Sequence, residues 1–185
     1  MGRVSQAQAQ ENRQRIVDTA SRLFREQGTH VSVADLMKAA GMTHGGFYKQ
    51  FASKDALVDE ATAHAFGELT EHRTAELGRH AGREEARQAF VDAYLSVEHR
   101  DGAADGCPVA GLAADVARTS GDSEARRVYA EGVRDFAEWL APEDGDGIAQ
   151  LCTMIGALLL ARATEGSPLS EKILTAARDA LTPGG

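Results

Sequence analysis

The chain has 185 residues, 43% of them hydrophobic, which suits one compact unit or two small modules sharing a boundary and argues against a disordered chain. Two cysteines, Cys107 and Cys152, exclude a disulfide framework. The polar start (MGRVSQAQAQENRQR) and an interrupted longest apolar run, around 151–163, point to a reducing, cytoplasmic setting with no membrane span. The net charge of −8 argues against an architectural DNA binder, whose affinity comes from neutralising phosphates.

That charge is unevenly spread. In residues 1–54, Lys and Arg outnumber Asp and Glu eight to four, a balance of +4; in the remainder they number 12 against 24, a balance of −12. A basic head on an acidic body suits a chain whose head approaches phosphates while its body is held away.

The elements read as helices throughout. Residues 12–27 put Ile16, Val17, Ala20, Leu23 and Phe24 on one stripe, with Gly28 as the left-handed stop. Ser32 precedes VADLMKAAG as a helix cap, with Asp35 in the first turn and Gly41 at the end. Thr43 is placed to cap a third short helix to Gln50. Ser53 caps a fourth, carrying Leu57, Val58, Ala61, Ala65, Phe66 and Leu69 to about Arg79. After Gly82, a fifth helix is expected over 84–98, then a polar glycine-rich loop at 99–106. A sixth helix starts near Pro108, a residue favoured at a first helical position. A seventh runs to Leu140, with Tyr129, Val133 and Phe136 on its stripe; an eighth covers 148–164 and a ninth 170–181. The fold class is all-α, with about nine helices and no strand alternation. The expected division is a helix-turn-helix head at 1–54, its residues 1–11 a flexible arm, and a body at 55–185.

Two short helices joined by the tight Gly41-Met42 turn match a helix-turn-helix, whose second helix enters the major groove. Here that helix is Thr43–Gln50, with Phe47 and Phe51 pinned against Phe24, Val33 and Leu36 and with His44, Tyr48 and Lys49 left to point outward. Within it, Gly45 and Gly46 each cost roughly 0.5–1 kcal/mol relative to alanine, a cost that makes sense where backbone must approach a partner closely.

Residues 32–57, SVADLMKAAGMTHGGFYKQFASKDAL, resemble the TetR-family pattern TVxDIAxxAGVSxGxxYxHFxSKxxL, with Gly41, Gly45, Tyr48, Phe51, Ser53, Lys54 and Leu57 in register. The resemblance is specific for about residues 10–60; beyond them only helix number and length agree. It implies a transcriptional regulator: a homodimeric, ligand-responsive repressor on a palindromic operator, needing no cofactor. Ser32, Tyr48 and Lys54 would contact phosphates, Thr43 a phosphate or base, and His44 and Lys49 base edges. Gly45 would bring backbone close. Gln50 replaces the common histidine and can still donate to phosphate. Arg3 and Arg13 are either a groove or phosphate arm, or part of a flexible tail.

The resemblance also implies a dimer built by the last two helices, with Leu151, Ile155, Leu158, Leu159, Ile173, Leu174 and Ala177 at the interface; the alternative is that these stripes face only their own core. An unidentified small-molecule inducer would enter the body among Phe66, Phe90, Tyr94, Cys107, Leu112, Phe136, Trp139 and Met154. Cys107 precedes the proline that opens a helix, where the positive end of the dipole lowers a thiol pKa. The region resembles that of electrophile-sensing members of the family, in which a cysteine begins this helix, so Cys107 is a candidate redox or electrophile sensor; the alternative is a small buried residue. Cys152, inside an apolar stripe, is expected to be inert. The row His64, His72, His80 either faces solvent or touches a metal. No HExxH, CxxC, GxGxxG or P-loop supports an enzyme.

Overall fold

The computed structural model describes residues 6–119, 121–142 and 145–182. Among them are nine α-helices and two short 3₁₀ helices, with no strand. The head consists of α1 (Gln6–Gln27), α2 (Val33–Ala39) and a 3₁₀ helix (His44–Lys49). The body consists of α3 (Lys54–Arg79), α4 (Arg83–Tyr94), α5 (Val97–Asp101), a 3₁₀ turn (Ala103–Asp105), α6 (Pro108–Arg118), α7 (Glu124–Leu140), α8 (Ile148–Ala163) and α9 (Pro168–Leu181).

The helix starts follow the capping chemistry. Asp35 N–H donates to the Ser32 hydroxyl and Ala56 N–H to the Ser53 hydroxyl, both at 3.1 Å. Pro108 and Pro168 sit in the first turns of α6 and α9. Such caps satisfy amide donors that no earlier carbonyl can reach.

Three boundaries differ from expectation. First, α1 begins at Gln6 rather than 12, so most of the expected arm is helical; Arg3 lies outside the described residues. Second, the helix expected over 84–98 breaks at Leu95, because the Ser96 hydroxyl accepts from His99 N–H at 3.1 Å and starts α5 there. Helical structure therefore enters the expected 99–106 loop. Serine competes with the helix ladder for a nearby amide, a local choice that apolar spacing does not register. Third, the helix after the turn is 3₁₀ rather than α, and Thr43, at its cap position, makes no side-chain capping bond.

Two apolar clusters form the interior. One, in the body, gathers Phe90, Phe136, Leu140, Met154 and Leu158. The other, in the head, gathers Ile16, Phe24, Leu36, Phe47 and Phe51, and it draws in Leu57 and Ala61 from α3 and Leu112 and Val116 from α6. The head core is thus completed by body helices. At the crossing of α1 and α6, a Cβ on Gly111 would stand 3.0 Å from the Arg25 backbone, so glycine is what lets the two helices approach. Nearby, Thr29 N–H donates to the Asp115 carboxylate at 2.7 Å. Burial opposes the charge on Asp115, but this bond and the Arg118 guanidinium outweigh it and hold the pKa below the usual carboxylate range. Among the described residues, no helix is long and apolar enough to cross a membrane.

Candidate nucleic-acid interface and body cavity

The 3₁₀ helix is held from its inner side. Phe47 is fully buried and its ring lies 5.5 Å from that of Phe51. Tyr48 points the other way and is 66% exposed, braced edge-on by Phe47 at 5.1 Å and by His44 at 6.3 Å. His44, Gly45, Lys49 and Thr43 are exposed as well, and Ser32 sits exposed at the start of α2. The structure therefore brings Ser32, Thr43, His44, Gly45, Tyr48 and Lys49 to the outside of the head. Gln50 and Lys54 are half-buried at its edge.

Arg13 is no free arm. Its guanidinium donates to the Gln50 carbonyl at the end of the 3₁₀ helix, pairs with Glu60 of α3, and lies 4.2 Å from the centre of the Phe51 ring. Two further head cations are taken up by acids of the body: exposed Arg22 pairs with Asp105, and Arg25 is buried against Glu68. The effective basic face is narrower than the residue count suggests. It contains Lys38, Lys49 and Lys54, none of which has an acidic partner among the described residues.

Neither glycine of the pair is demanded by the chain itself. A Cβ on Gly45 would meet nothing within 4 Å, and one on Gly46 would make only ordinary contact with Met37 at 3.6 Å. Gly41 differs: its φ of +72° is one that side-chain-bearing residues rarely adopt, and it makes the turn.

In the body, a cavity of about 730 Å³ opens between α3, α4 and the segment before α6. Four rings on its wall form a row. His72 lies 5.5 Å from Phe90, Phe90 6.1 Å from Tyr94, and Tyr94 4.4 Å from His99. Arg25, Glu68, Glu98 and Asp105 supply its charges. Of the expected pocket residues, Phe90, Tyr94 and Cys107 line it. Phe66, Phe136 and Met154 are packed in the body core, with Trp139 half-buried against it, and Leu112 belongs to the head core. Their apolar spacing marks burial, which a core position and a cavity wall share. Arg25, Glu68 and His99 were not anticipated. The only signal for Arg25 was an arginine on the buried stripe of α1, four residues after Ser21 and eight after Val17.

Arg25 bridges head and cavity. It donates to the Ser21 carbonyl at 3.2 Å, the Gly106 carbonyl at 3.1 Å and the Glu68 carboxylate at 2.8 Å. His99 joins α4 to α6: its Nδ1 bonds the Tyr94 carbonyl at 2.7 Å, and its Nε2 accepts from Cys107 N–H at 3.2 Å. Those two partners fix the tautomer and require a neutral ring, and burial lowers the His99 pKa.

Cys107 corrects an expectation. It does stand at the start of α6, but it is 5% exposed, and burial pushes its thiol pKa up. Desolvation of the thiolate outweighs the helix terminus, the Tyr94 hydroxyl and nearby amides. Cys152, expected to be inert, is instead exposed on α8. The expected dimer stripe divides in the same way. Leu151, Leu158, Leu174 and Ala177 are in the chain's own core, and Ile155 and Ile173 are partly buried. The outward apolar residues are Ile148 at 54%, Leu159 at 42%, Leu160 at 58% and Leu169 at 51% exposure. His64 pairs with Asp18 and Glu68, while His72 and His80 both face Glu76. No group among the described residues has the makings of a metal site.

Comparison with known proteins agrees with this geometry. The profile of bacterial regulatory proteins of the tetR family matches residues 16–61. The chain is similar to the helix-turn-helix transcriptional regulator AcrR of Shigella flexneri, 41% identical over 78 residues; the match spans 42% of this chain and 34% of that relative's length. An uncharacterised helix-turn-helix regulator of Mycobacterium tuberculosis is 28% identical over 170 residues, covering 81% of this chain and 84% of the relative. Among solved structures, reduced Escherichia coli NemR shares the fold with a TM-score of 0.77 at 19% identity, over 93% of this chain and 95% of that one. A TetR transcriptional regulator from Chloroflexus aurantiacus also superposes with a TM-score of 0.77, at 26% identity over 95% and 94% of the two chains. With its helix-turn-helix head and all-helical body, the chain carries over residues 16–61 the region that matches bacterial regulatory proteins of the tetR family, and it shares its overall fold with TetR transcriptional regulators.

Proposed function

We propose that the protein is a ligand-responsive, homodimeric repressor that reads a palindromic operator through residues 43–50. The observation that carries this reading is the head's division of labour: Phe47 and Phe51 anchor a short helix whose His44, Gly45, Tyr48 and Lys49 are exposed. In this reading Lys49 donates to the guanine edge in the major groove, His44 reads the neighbouring base, and Ser32, Thr43, Tyr48, Gln50 and Lys54 position the head on phosphates. One such head contacts few base pairs, and a two-fold pair doubles the contacts and fixes half-site spacing.

The dimer reading is supported by the apolar residues that α8 and α9 leave outside their own core, Ile148, Leu159, Leu160 and Leu169. Such a patch is costly in water and disappears against a second copy. Ligand response is supported by the cavity and by Arg25, which ties its wall to α1. A ligand acts by binding one arrangement of the heads more tightly than the other.

Selection of binding sites from random duplex DNA, repeated with His44→Ala and Lys49→Ala, tests the reading. A two-fold symmetric site is expected, with specificity lost at defined positions in each variant at about 1–3 kcal/mol per base contact. Recovery of no symmetric site sinks it.

A further inference from the structure

The 3₁₀ helix after the turn lacks the usual supports of a helix. It has six residues, two of them glycine, and Thr43 makes no side-chain cap at its start. The last carbonyls of a helix have no donor within it. Here the Gln50 carbonyl is taken by the Arg13 guanidinium, which comes from α1. The same guanidinium pairs with Glu60 of α3 and lies 4.2 Å from the centre of the Phe51 ring. Phe51 in turn stacks on Phe47, the buried anchor of the short helix. One side chain therefore ties α1 and α3 to the C-terminal end of the helix that carries Tyr48 and Lys49. The Arg13–Glu60 pair is part-exposed, at 36% and 41% for the two side chains, a setting in which an ion pair adds little to stability. What such a bridge supplies is direction, because the planar fork of a guanidinium fixes where its acceptors stand.

We propose that Arg13 is a positioning residue for DNA recognition: it holds the end of the 3₁₀ helix against α1 and α3, and so sets where Tyr48 and Lys49 meet the duplex, without touching DNA itself. This role rests on residues 43–50 being the DNA-contacting segment. It differs from that of a phosphate or groove arm, and the two roles make opposite predictions. A phosphate contact by Arg13 would be opposed by the neighbouring Glu60 carboxylate, so neutralising Glu60 would tighten binding. A positioning bridge uses Glu60 as its second anchor, so neutralising it weakens binding. Sequence discrimination differs too. A lost phosphate contact weakens all duplexes alike, whereas a misplaced reading helix loses chiefly on the preferred one.

The test titrates the full-length parent, Arg13→Met and Glu60→Gln, each with a circular dichroism spectrum matching the parent's, by fluorescence anisotropy. The probes are the duplex selected from random DNA and a scrambled duplex of the same composition. Arg13→Met keeps an apolar stem against Phe51 and removes the fork. It should bind the selected duplex about tenfold or more weakly and the scrambled one less than about threefold more weakly. Glu60→Gln should weaken the selected duplex about threefold or more, although it removes a negative charge. Ala86→Gly, buried on α4 in the body, lowers stability without touching the bridge and should bind as the parent does. Parent-like binding by Arg13→Met, equal losses on both duplexes, unchanged or tighter binding by Glu60→Gln, or a loss in Ala86→Gly as large as in Arg13→Met overturns the proposal. If Arg13→Met does not fold, Glu60→Gln decides, since the bond to Gln50 remains available in it. A parent that selects no symmetric duplex sinks the DNA reading itself, whereas a selective parent with an unaffected Glu60→Gln sinks only the role of Arg13.

Discussion

Replacing Gly45 by alanine separates what the fold requires from what a partner requires. In the folded chain a Cβ at this position meets nothing within 4 Å, and the backbone there has no positive φ, so the methyl group brings neither clash nor strain. Alanine also has less backbone freedom to lose on folding, which favours it in a helical turn by roughly 0.5–1 kcal/mol. For a chain of this size, 1 kcal/mol moves the melting temperature by about 2–4 °C, so a rise of about 1–4 °C is expected by differential scanning calorimetry. Against the selected operator the sign reverses. On the face proposed to meet the DNA, a methyl group would hold backbone away from phosphate oxygens. Losing one hydrogen bond to a charged group costs about 1.5–3 kcal/mol, on the order of ten- to a hundredfold in Kd by fluorescence anisotropy. Gly41→Ala is the internal contrast. Its φ of +72° should make that variant about 1–2 kcal/mol less stable. Operator binding by Gly45→Ala as tight as the parent's refutes the partner argument, and a lower melting temperature refutes the steric one.

Because His99 is half-buried and neutral, its folded pKa lies below the usual value of 6.5. Its contribution is therefore complete above about pH 6.5, falls as the unfolded chain takes up the proton below that pH, and levels off beneath the folded pKa; urea midpoints between pH 8 and 5 should show this slope, and His99→Gln should reduce it. Cys152 should be shielded from maleimide in a dimer formed by α8 and α9 and become reactive when Leu160→Glu disperses it, as followed by mass spectrometry with light scattering; equal labelling in both states removes α8 from the interface. Buried Cys107, with its raised pKa, should label in neither state until the protein is denatured. Gly147→Ala should be the most damaging glycine change of those considered, by more than about 2 kcal/mol in chemical denaturation, because φ is +69° and the added Cβ runs into the Ala137 carbonyl.

Periodicity, caps and stops made the long helices legible, since each depends on neighbours within a turn or two: Ser32, Ser53, Pro108 and Gly82 all sit where their chemistry places a boundary. The motif over 32–57 carried the head and its outward residues for the same local reason. What lay beyond the sequence was decided by contacts between segments far apart along it. Arg13 reaches Gln50, and Arg25 reaches Glu68 and Gly106. Apolar spacing announces that Phe136, Met154 and Leu158 are buried, but only the assembled helices decide whether a buried side chain meets its own core, a cavity or a second chain. The sequence by itself determined an all-helical chain with a DNA-reading head; the tertiary structure decided which charges remain free on that head and which carboxylates line the body cavity, because both depend on which distant side chains compete for the same partner.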